Sequence, residues 1–366
     1  MLLKSLHLSN VRNYAQLELE PDAGLNVFIG RNAQGKSNLL EAISLLGTGK
    51  SFRTSRERDL IREGFELAAI SGEAHVRAGE VRLGCTIAST PRGTRKVYTV
   101  NGRSVRYAKF LGSLRVVTFV PADLQLVSGA PALRRSFLNI ALAQEQPTYY
   151  HELARYQKAL TQKSALLRTG DEPDPDLLAI YNETLIEAGA AVMLARDQLV
   201  RVLGAAASRV HAQWAGENER LHIAYQPNVP FEAPIAEAVA GAFAAKLKAL
   251  AAQERARQMS LAGPHRDDLD FQLDGRPLAA YGSQGQQRTA VLALKVAEYS
   301  VMHDRSGEAP LLLLDDVLSE LDPQRAQAFL AGVGGFEQAF ITATHLPEGL
   351  PAARRYTIES AKVLAA

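Results

Sequence analysis

Cysteine is almost absent: Cys85 is the single thiol among 366 residues. One thiol closes no internal disulfide and builds no thiolate zinc cage, so the fold rests on its core, and the usage suits a reducing compartment. An excess of one charge is also missing, since 41 Lys and Arg stand against 39 Asp and Glu. That balance excludes a general polyanion-binding coat, so any nucleic-acid surface must be a local patch or a product of assembly. Long hydrophobic runs are lacking as well. The strongest, Leu311-Leu312-Leu313-Leu314, falls far short of the ~18 residues of a membrane span. Residues 1–7 have no apolar core of signal-peptide length. The expectation is a soluble, cytoplasmic protein with no membrane partner. Neither an internal repeat nor a low-complexity tract is visible, and 47% hydrophobic with 22% charged residues excludes global disorder.

What is present is apolar patterning whose period changes along the chain. Leu6, Leu8, Leu17 and Leu19 alternate with polar neighbours, as half-buried strands do. Residues 24–29 form a short apolar strand running into glycine, and Leu39, Leu40, Ile43, Leu45 and Leu46 follow at helical spacing. Val97, Val100 and Val105 around Asn101-Gly102 predict a hairpin, because Asn-Gly accepts the positive φ of a tight turn. Residues 115–120 read as another strand. From about 123 to 259 the chain turns Ala- and Leu-rich, with helices expected over 149–167, 176–214 and 235–258 and a strand at 221–225. Strand character returns at 269–273, then a helix at 284–299, and apolar strands at 310–314 and 340–344 of the kind found inside parallel sheets. The fold class is therefore α/β. Residues 1–122 and 260–366 form one head, split around an inserted, mainly helical lobe of residues 123–259.

Three motifs carry chemistry. Gly30-Arg31-Asn32-Ala33-Gln34-Gly35-Lys36-Ser37 satisfies G-x-x-x-x-G-K-[ST] between a strand and a helix. Glycines let the loop wrap a phosphate with N–H groups inward, and the helix N-terminus adds partial positive charge. Lys36 would bridge the β- and γ-phosphates and Ser37 would ligate Mg²⁺. Second, the strand at 311–314 ends in Asp315-Asp316, which places carboxylates at the edge where open α/β sheets bind ligands. Asp315 would hold Mg²⁺, and Asp316 would orient or deprotonate the attacking water. Third, Ser283-Gln284-Gly285-Gln286-Gln287-Arg288 opens an apolar helix with Ser283 as a candidate N-cap.

Taken in this order, with Ser319-Glu320-Leu321-Asp322 and His345 following, these motifs resemble the ABC-type P-loop ATPase head, a fold of mixed sheets plus helices. Around them, residues 8–14, 30–43, 50–53, 134–138, 263–269, 283–288 and 314–322 are similar to the RecF family of bacterial recombination mediators. The resemblance implies that Gly30, Arg31, Asn32, Ala33, Gln34, Gly35, Lys36 and Ser37 form the Walker A loop for ATP. Asp315 takes the Walker B role with Mg²⁺, and Asp316 stands where a catalytic glutamate is usual. Ser283 and Gly285 belong to the signature motif, residues 319–322 are the D-loop, and His345 is the switch histidine. Lys36, Asp316, His345, Ser283 and Gly285 are the residues expected to carry hydrolysis.

In such heads the signature serves the nucleotide of a facing copy. The resemblance therefore implies an ATP-dependent homodimer on double-stranded, gapped or junction DNA, with slow DNA-dependent hydrolysis as the release step. It also implies RecR and RecO as associates and RecA loading as the outcome, in recombinational repair and replication-gap maintenance. Chromosome-organising SMC heads need far longer coiled coils than residues 123–259 allow. A transporter ATPase leaves residues 10–14 and 263–269 unexplained, and an ATP-gated scaffold without appreciable hydrolysis is a third reading. Candidate phosphate contacts are Arg53, Arg56, Arg58 and Arg62, then Arg92, Arg95, Lys96, Arg103, Arg106 and Lys109. Arg12 and Tyr14 are candidates for adenine, with strand-end packing the alternative for Tyr14; His265 is a candidate for the nucleotide or the lobe junction, and Arg134-Arg135 for the fold, the lobe interface or DNA.

Overall fold

The alternating N-terminal leucines form strands β1 (Leu2–Val11) and β2 (Tyr14–Leu19), and the apolar run before the glycine-rich motif is β3 (Gly24–Ile29). These come from a computed structural model of the chain, which describes residues 1–169, 173–215, 219–317, 329, 336–345 and 352–365. Helix α1 (Lys36–Thr48) follows, then β4 (Leu67–Val76), β5 (Gly79–Thr90), β6 (Gly93–Val100), β7 (Arg103–Val105), the single turn α2 (Tyr107–Phe110) and β8 (Val116–Phe119). Asn101 and Gly102, at φ 50° and 75°, make the tight turn between β6 and β7 that the sequence predicts. Next come α3 (Gln125–Ser128), α4 (Pro131–Glu145), α5 (Pro147–Leu167), α6 (Pro175–Ala215), β9 (Leu221–Gln226) and α7 (Ala236–Arg257). The chain continues through β10 (Asp268–Leu273), β11 (Arg276–Pro277), α8 (Leu278–Tyr281), α9 (Gln284–Ser306), β12 (Leu311–Asp315), β13 (Gln338–Ala343), β14 (Ala353–Glu359) and β15 (Lys362–Ala365).

Two compact units result: residues 1–124 with 291–366, and residues 125–290. The first holds two six-stranded sheets. One is antiparallel in the order β2-β1-β4-β5-β6-β7, and the other runs β15-β14-β3-β13-β12-β8. In the second sheet every neighbouring pair from β14 to β8 is parallel, and β15 alone turns back. Parallel strands are covered on both faces, which is why every described residue of β12 and β13 is buried.

Helix α1 packs against β1, β4 and β5 of one sheet and β8, β12 and β13 of the other. Residues 39–48 are buried without exception. Burying side chains such as Leu39, Leu40, Ile43, Leu45 and Leu46 stabilises the fold by roughly 1.5–3 kcal/mol each.

The second unit is built on α5, α6 and α7, with Tyr156, Leu185, Ala188, Met193, Val239, Phe243 and Leu247 in one core. By length and composition alone α6 would qualify to cross a membrane. Leu185, Ala188, Ala190 and Met193 of α6 lie in this core while Leu177, Ile180 and Val202 are exposed, and the helix buries Arg196 and His211 as well. Residues 260–290, which the sequence reading assigns to the head, group with this unit. The reason is β10, which pairs with β9 from Asp268↔Gln226 to Leu273↔Leu221 in a three-stranded sheet β11-β10-β9.

Candidate nucleotide-binding site

The phosphate-loop motif sits where β3 meets α1. Ala33 at φ 65° and Gly35 at φ 116° turn the chain, and Gly35 caps α1 without any side-chain hydrogen bond. The first amides of α1 are thus left to an anion, with the helix dipole behind them. Gly30 is required by close approach, since a Cβ there would lie 2.4 Å from the carbonyl oxygen of Ile358. Lys36 Nζ donates to the carbonyls of Gly30 at 2.5 Å and Arg31 at 2.9 Å. Burial lowers its pKa, and Asp316 and Asp315 push it back up.

Ser37 Oγ donates to Asp315 Oδ1 at 2.8 Å across 278 residues of sequence. Strand topology makes this contact: β13 lies between β3 and β12, so the ends of β3 and β12 reach the same sheet edge. Thr342, buried in β13, was not anticipated from the sequence. Its hydroxyl donates to Asp315 Oδ1 at 2.8 Å and accepts the Asp316 N–H at 2.9 Å. A hydroxyl within the apolar run 339–343 is the available signal. Burial raises the Asp315 pKa, and the Thr342 and Ser37 hydrogen bonds lower it. Asp316 adopts φ 52°, a left-handed conformation uncommon for a non-glycine residue.

Side chains of neighbouring elements brace the loop and the first turns of α1. Tyr14 is fully buried and its hydroxyl donates to the Gly35 carbonyl at 3.1 Å, so it supports the loop from within the core. Arg12 forms a two-pronged pair with Glu41, both contacts at 2.8 Å. Tyr14 thus takes the packing alternative, and Arg12 is held by Glu41 with 18% of its side chain exposed. Glu41, buried in α1, also accepts from Ser51 Oγ. Asn13 donates to the Gln34 carbonyl at 3.3 Å and accepts from Asn38 at 2.8 Å, while Arg53 donates to Asn38. Glu41 carries no signal in the sequence, because a carboxylate in a helix reads as solvent-facing.

His345 follows β13 and is exposed, with Thr344 Oγ1 3.4 Å from its Nε2. Ser319, Glu320, Leu321 and Asp322 lie outside the described residues.

In the second unit, Ser283 caps α9 as expected. The Gln286 N–H donates to Ser283 Oγ at 3.2 Å and the Ser283 N–H donates to Gln286 Oε1 at 2.8 Å. This reciprocal box satisfies two amides of the helix start. Gln286 also donates to Glu219 at 2.8 Å.

His265 belongs to the packing of this unit. Its Nδ1 meets the Tyr156 hydroxyl and its Nε2 lies 3.3 Å from the Ser260 carbonyl. Burial pushes its pKa down to about 4. Arg134, also buried, pairs with Asp268 and donates to the Leu126 and Gly129 carbonyls, and Arg135 donates to the Asp267 carbonyl. Arg134 thus serves the fold, while Arg135 stays half-buried.

Among the basic candidates, Lys96 is not a free cation. Its Nζ pairs with Glu57 at 2.9 Å and donates to the Gly49 carbonyl at 3.0 Å, with only 8% of the side chain exposed. Arg62 lies over the Phe65 ring. Arg53, Arg56, Arg58, Arg92, Arg95, Arg103, Arg106 and Lys109 are exposed.

Residues 2–356 match the family model described as RecF/RecN/SMC N terminal domain. The DNA replication and repair protein RecF of Symbiobacterium thermophilum is 45% identical over 355 residues, covering 95% of this chain and 92% of that one. A solved structure of the recombination mediator protein RecF with ATP, in the RecFOR pathway, superposes with a TM-score of 0.92 at 32% identity, covering 100% of this chain and 97% of that one. The Smc head domain of Pyrococcus furiosus, at 15% identity and a TM-score of 0.57, covers 100% of this chain and 96% of that one and shares the fold.

Proposed function

The chain belongs to the family described as RecF/RecN/SMC N terminal domain, and from that premise we propose that it is an ATP-dependent DNA-binding protein of replication and repair. The observation that carries this reading is the 2.8 Å bond from Ser37 to Asp315, which joins the phosphate loop to the acid strand. The residues fit Mg²⁺–ATP. Two hard oxygen donors, the Ser37 hydroxyl and the Asp315 carboxylate, suit Mg²⁺ completed by phosphate oxygens. The metal would supply charge neutralisation at the phosphates when bound.

Loop amides of residues 30–37 hold the phosphate chain, and Lys36 leaves its loop carbonyls for the β- and γ-phosphates. Asp316 orients water. His345, Ser283 and Gly285 complete the hydrolytic set when two copies face each other. A nucleotide shared by two heads stabilises the dimer by mass action, so ATP affinity and self-association are linked. A near-neutral head presents little charge alone; pairing doubles the exposed arginines around double-stranded, gapped or junction DNA. Slow hydrolysis then releases the clamp. RecR, RecO and RecA loading come to this chain by family, as does the cytoplasmic setting.

The test is sedimentation of the full chain with and without ATP and Mg²⁺. A doubled mass with nucleotide is expected, and an unchanged mass refutes the clamp. ATPase rate with and without duplex DNA separates a DNA-gated switch, which is stimulated, from a scaffold, whose rate stays flat.

A further inference from the structure

Strands β14 and β15 pair up to Glu359↔Lys362, leaving a turn of two residues, Ser360 and Ala361. Both are left-handed, at φ 47° and 58°. Turns of this shape ordinarily take Asn-Gly or Gly-Gly, because a Cβ is crowded there. Strain of this kind persists where surrounding contacts over-determine it.

The surrounding contacts are those of the phosphate loop. The Ser360 N–H donates to Gln34 Oε1 at 2.7 Å, and the Ala361 N–H donates to the Gln34 carbonyl at 3.0 Å. The same hairpin meets the start of the loop, where Gly30 rides on the Ile358 carbonyl. The hairpin therefore lies against the start of the loop and bonds to its middle, and the Gln34 side chain faces the turn.

We propose that the β14–β15 turn is a latch that sets the shape of the phosphate loop, with Gln34 as its positioning residue. The inference rests on the nucleotide reading above. A loop ordered in advance spares the ligand the entropy of ordering it. The strained turn suits this task because both of its N–H groups point to one side, at one residue of the loop.

The experiment uses the full chain with Mg²⁺ and a fluorescent ATP analogue, alongside hydrogen exchange at Ser360. Gln34→Met keeps the length and removes the acceptor oxygen. It should weaken nucleotide affinity about fivefold, the scale of one lost hydrogen bond, raise KM in step, and speed exchange at Ser360. Gln34→Glu restores an acceptor and should restore slow exchange. Affinity of Gln34→Met within about twofold of wild type, or Ser360 exchange equal in the two proteins, overturns the latch. So does a lower melting temperature in Gln34→Met with nucleotide affinity intact, the mark of a merely structural bond. Failure of the wild type to bind the analogue would overturn the nucleotide reading instead, with exchange at Ser360 still deciding the latch.

Discussion

Arg196→Met removes the cation around which residues 263–269 are folded. Arg196 Nη1 donates to Asp267 Oδ2 at 2.9 Å and to the Pro264 carbonyl at 2.7 Å, Nη2 donates to Asn139 at 3.0 Å, and Nε donates to the Tyr149 hydroxyl at 3.2 Å. Both members of the ion pair are buried. Breaking a buried pair from one side costs about 3–5 kcal/mol, because the remaining charge stays unpaired. Asp267 keeps the Tyr225 hydroxyl and the Asn228 N–H as donors, which argues for the lower end. Since ~1 kcal/mol moves the midpoint of a unit this size by ~2–4 °C, the expected fall is about 6–12 °C. Calorimetry of the full chain reads it as a shifted transition. Burial already raises the Asp267 pKa, and Arg196 pulls it back down. Without Arg196 it rises further, so the deficit of Arg196→Met should shrink as acid protonates Asp267 and grow as pH rises through that pKa. Arg196→Met with Asp267→Asn removes the charge altogether and should recover at least half of the loss. A shift below about 2 °C for the single variant, or no recovery in the double, would refute the reasoning.

Asp315→Asn should abolish Mg²⁺-dependent ATP hydrolysis, by about a hundredfold or more, yet leave the melting temperature without nucleotide equal or higher, because burial already disfavours the Asp315 charge. Lys96→Met should destabilise the first unit by about 1.5–3 kcal/mol through its lost charged hydrogen bonds, while the salt dependence of DNA binding stays as in wild type; Arg95→Ala with Arg103→Ala should flatten that dependence. As pH falls from 6.5 toward about 4, the unfolded chain takes up a proton that the buried His265 refuses. Stability of the second unit should therefore drop by up to about 3 kcal/mol across that window, and His265→Gln should remove the drop in acid-titrated melting curves.

The chemistry of the first unit was legible because it sits in short motifs at strand ends. Gly30 to Ser37 and Asp315 announce themselves by residue type and neighbours. Their meeting was not legible, since it depends on β13 lying between β3 and β12. Strands β4 and β5 are not legible in the sequence: small residues such as Ala69, Ser71, Gly84 and Thr86 give no apolar alternation there. The charges that organise each unit were harder still. Glu41, Arg196 and the Lys163–Glu254 pair, 2.7 Å apart, look like solvated positions of amphipathic helices until partners far along the chain are known. Lys96 misled for the same reason, as a cation in a basic stretch that is spent on Glu57 and Gly49. The second unit's boundary moved because β10 takes its register from β9.

Helix α1, enclosed by both sheets, has no wall facing water along residues 39–48. Its substitution profile should therefore look unlike that of an ordinary surface helix: no stripe of freely exchangeable positions, and intolerance set by volume as much as by polarity. Gly47 shows the scale, since a single methyl there would stand 2.3 Å from Val116 Cγ2. Genetic variation along this segment is thus expected to be confined to its first turn, and lineages that retune the nucleotide site must do so from the loops around the helix.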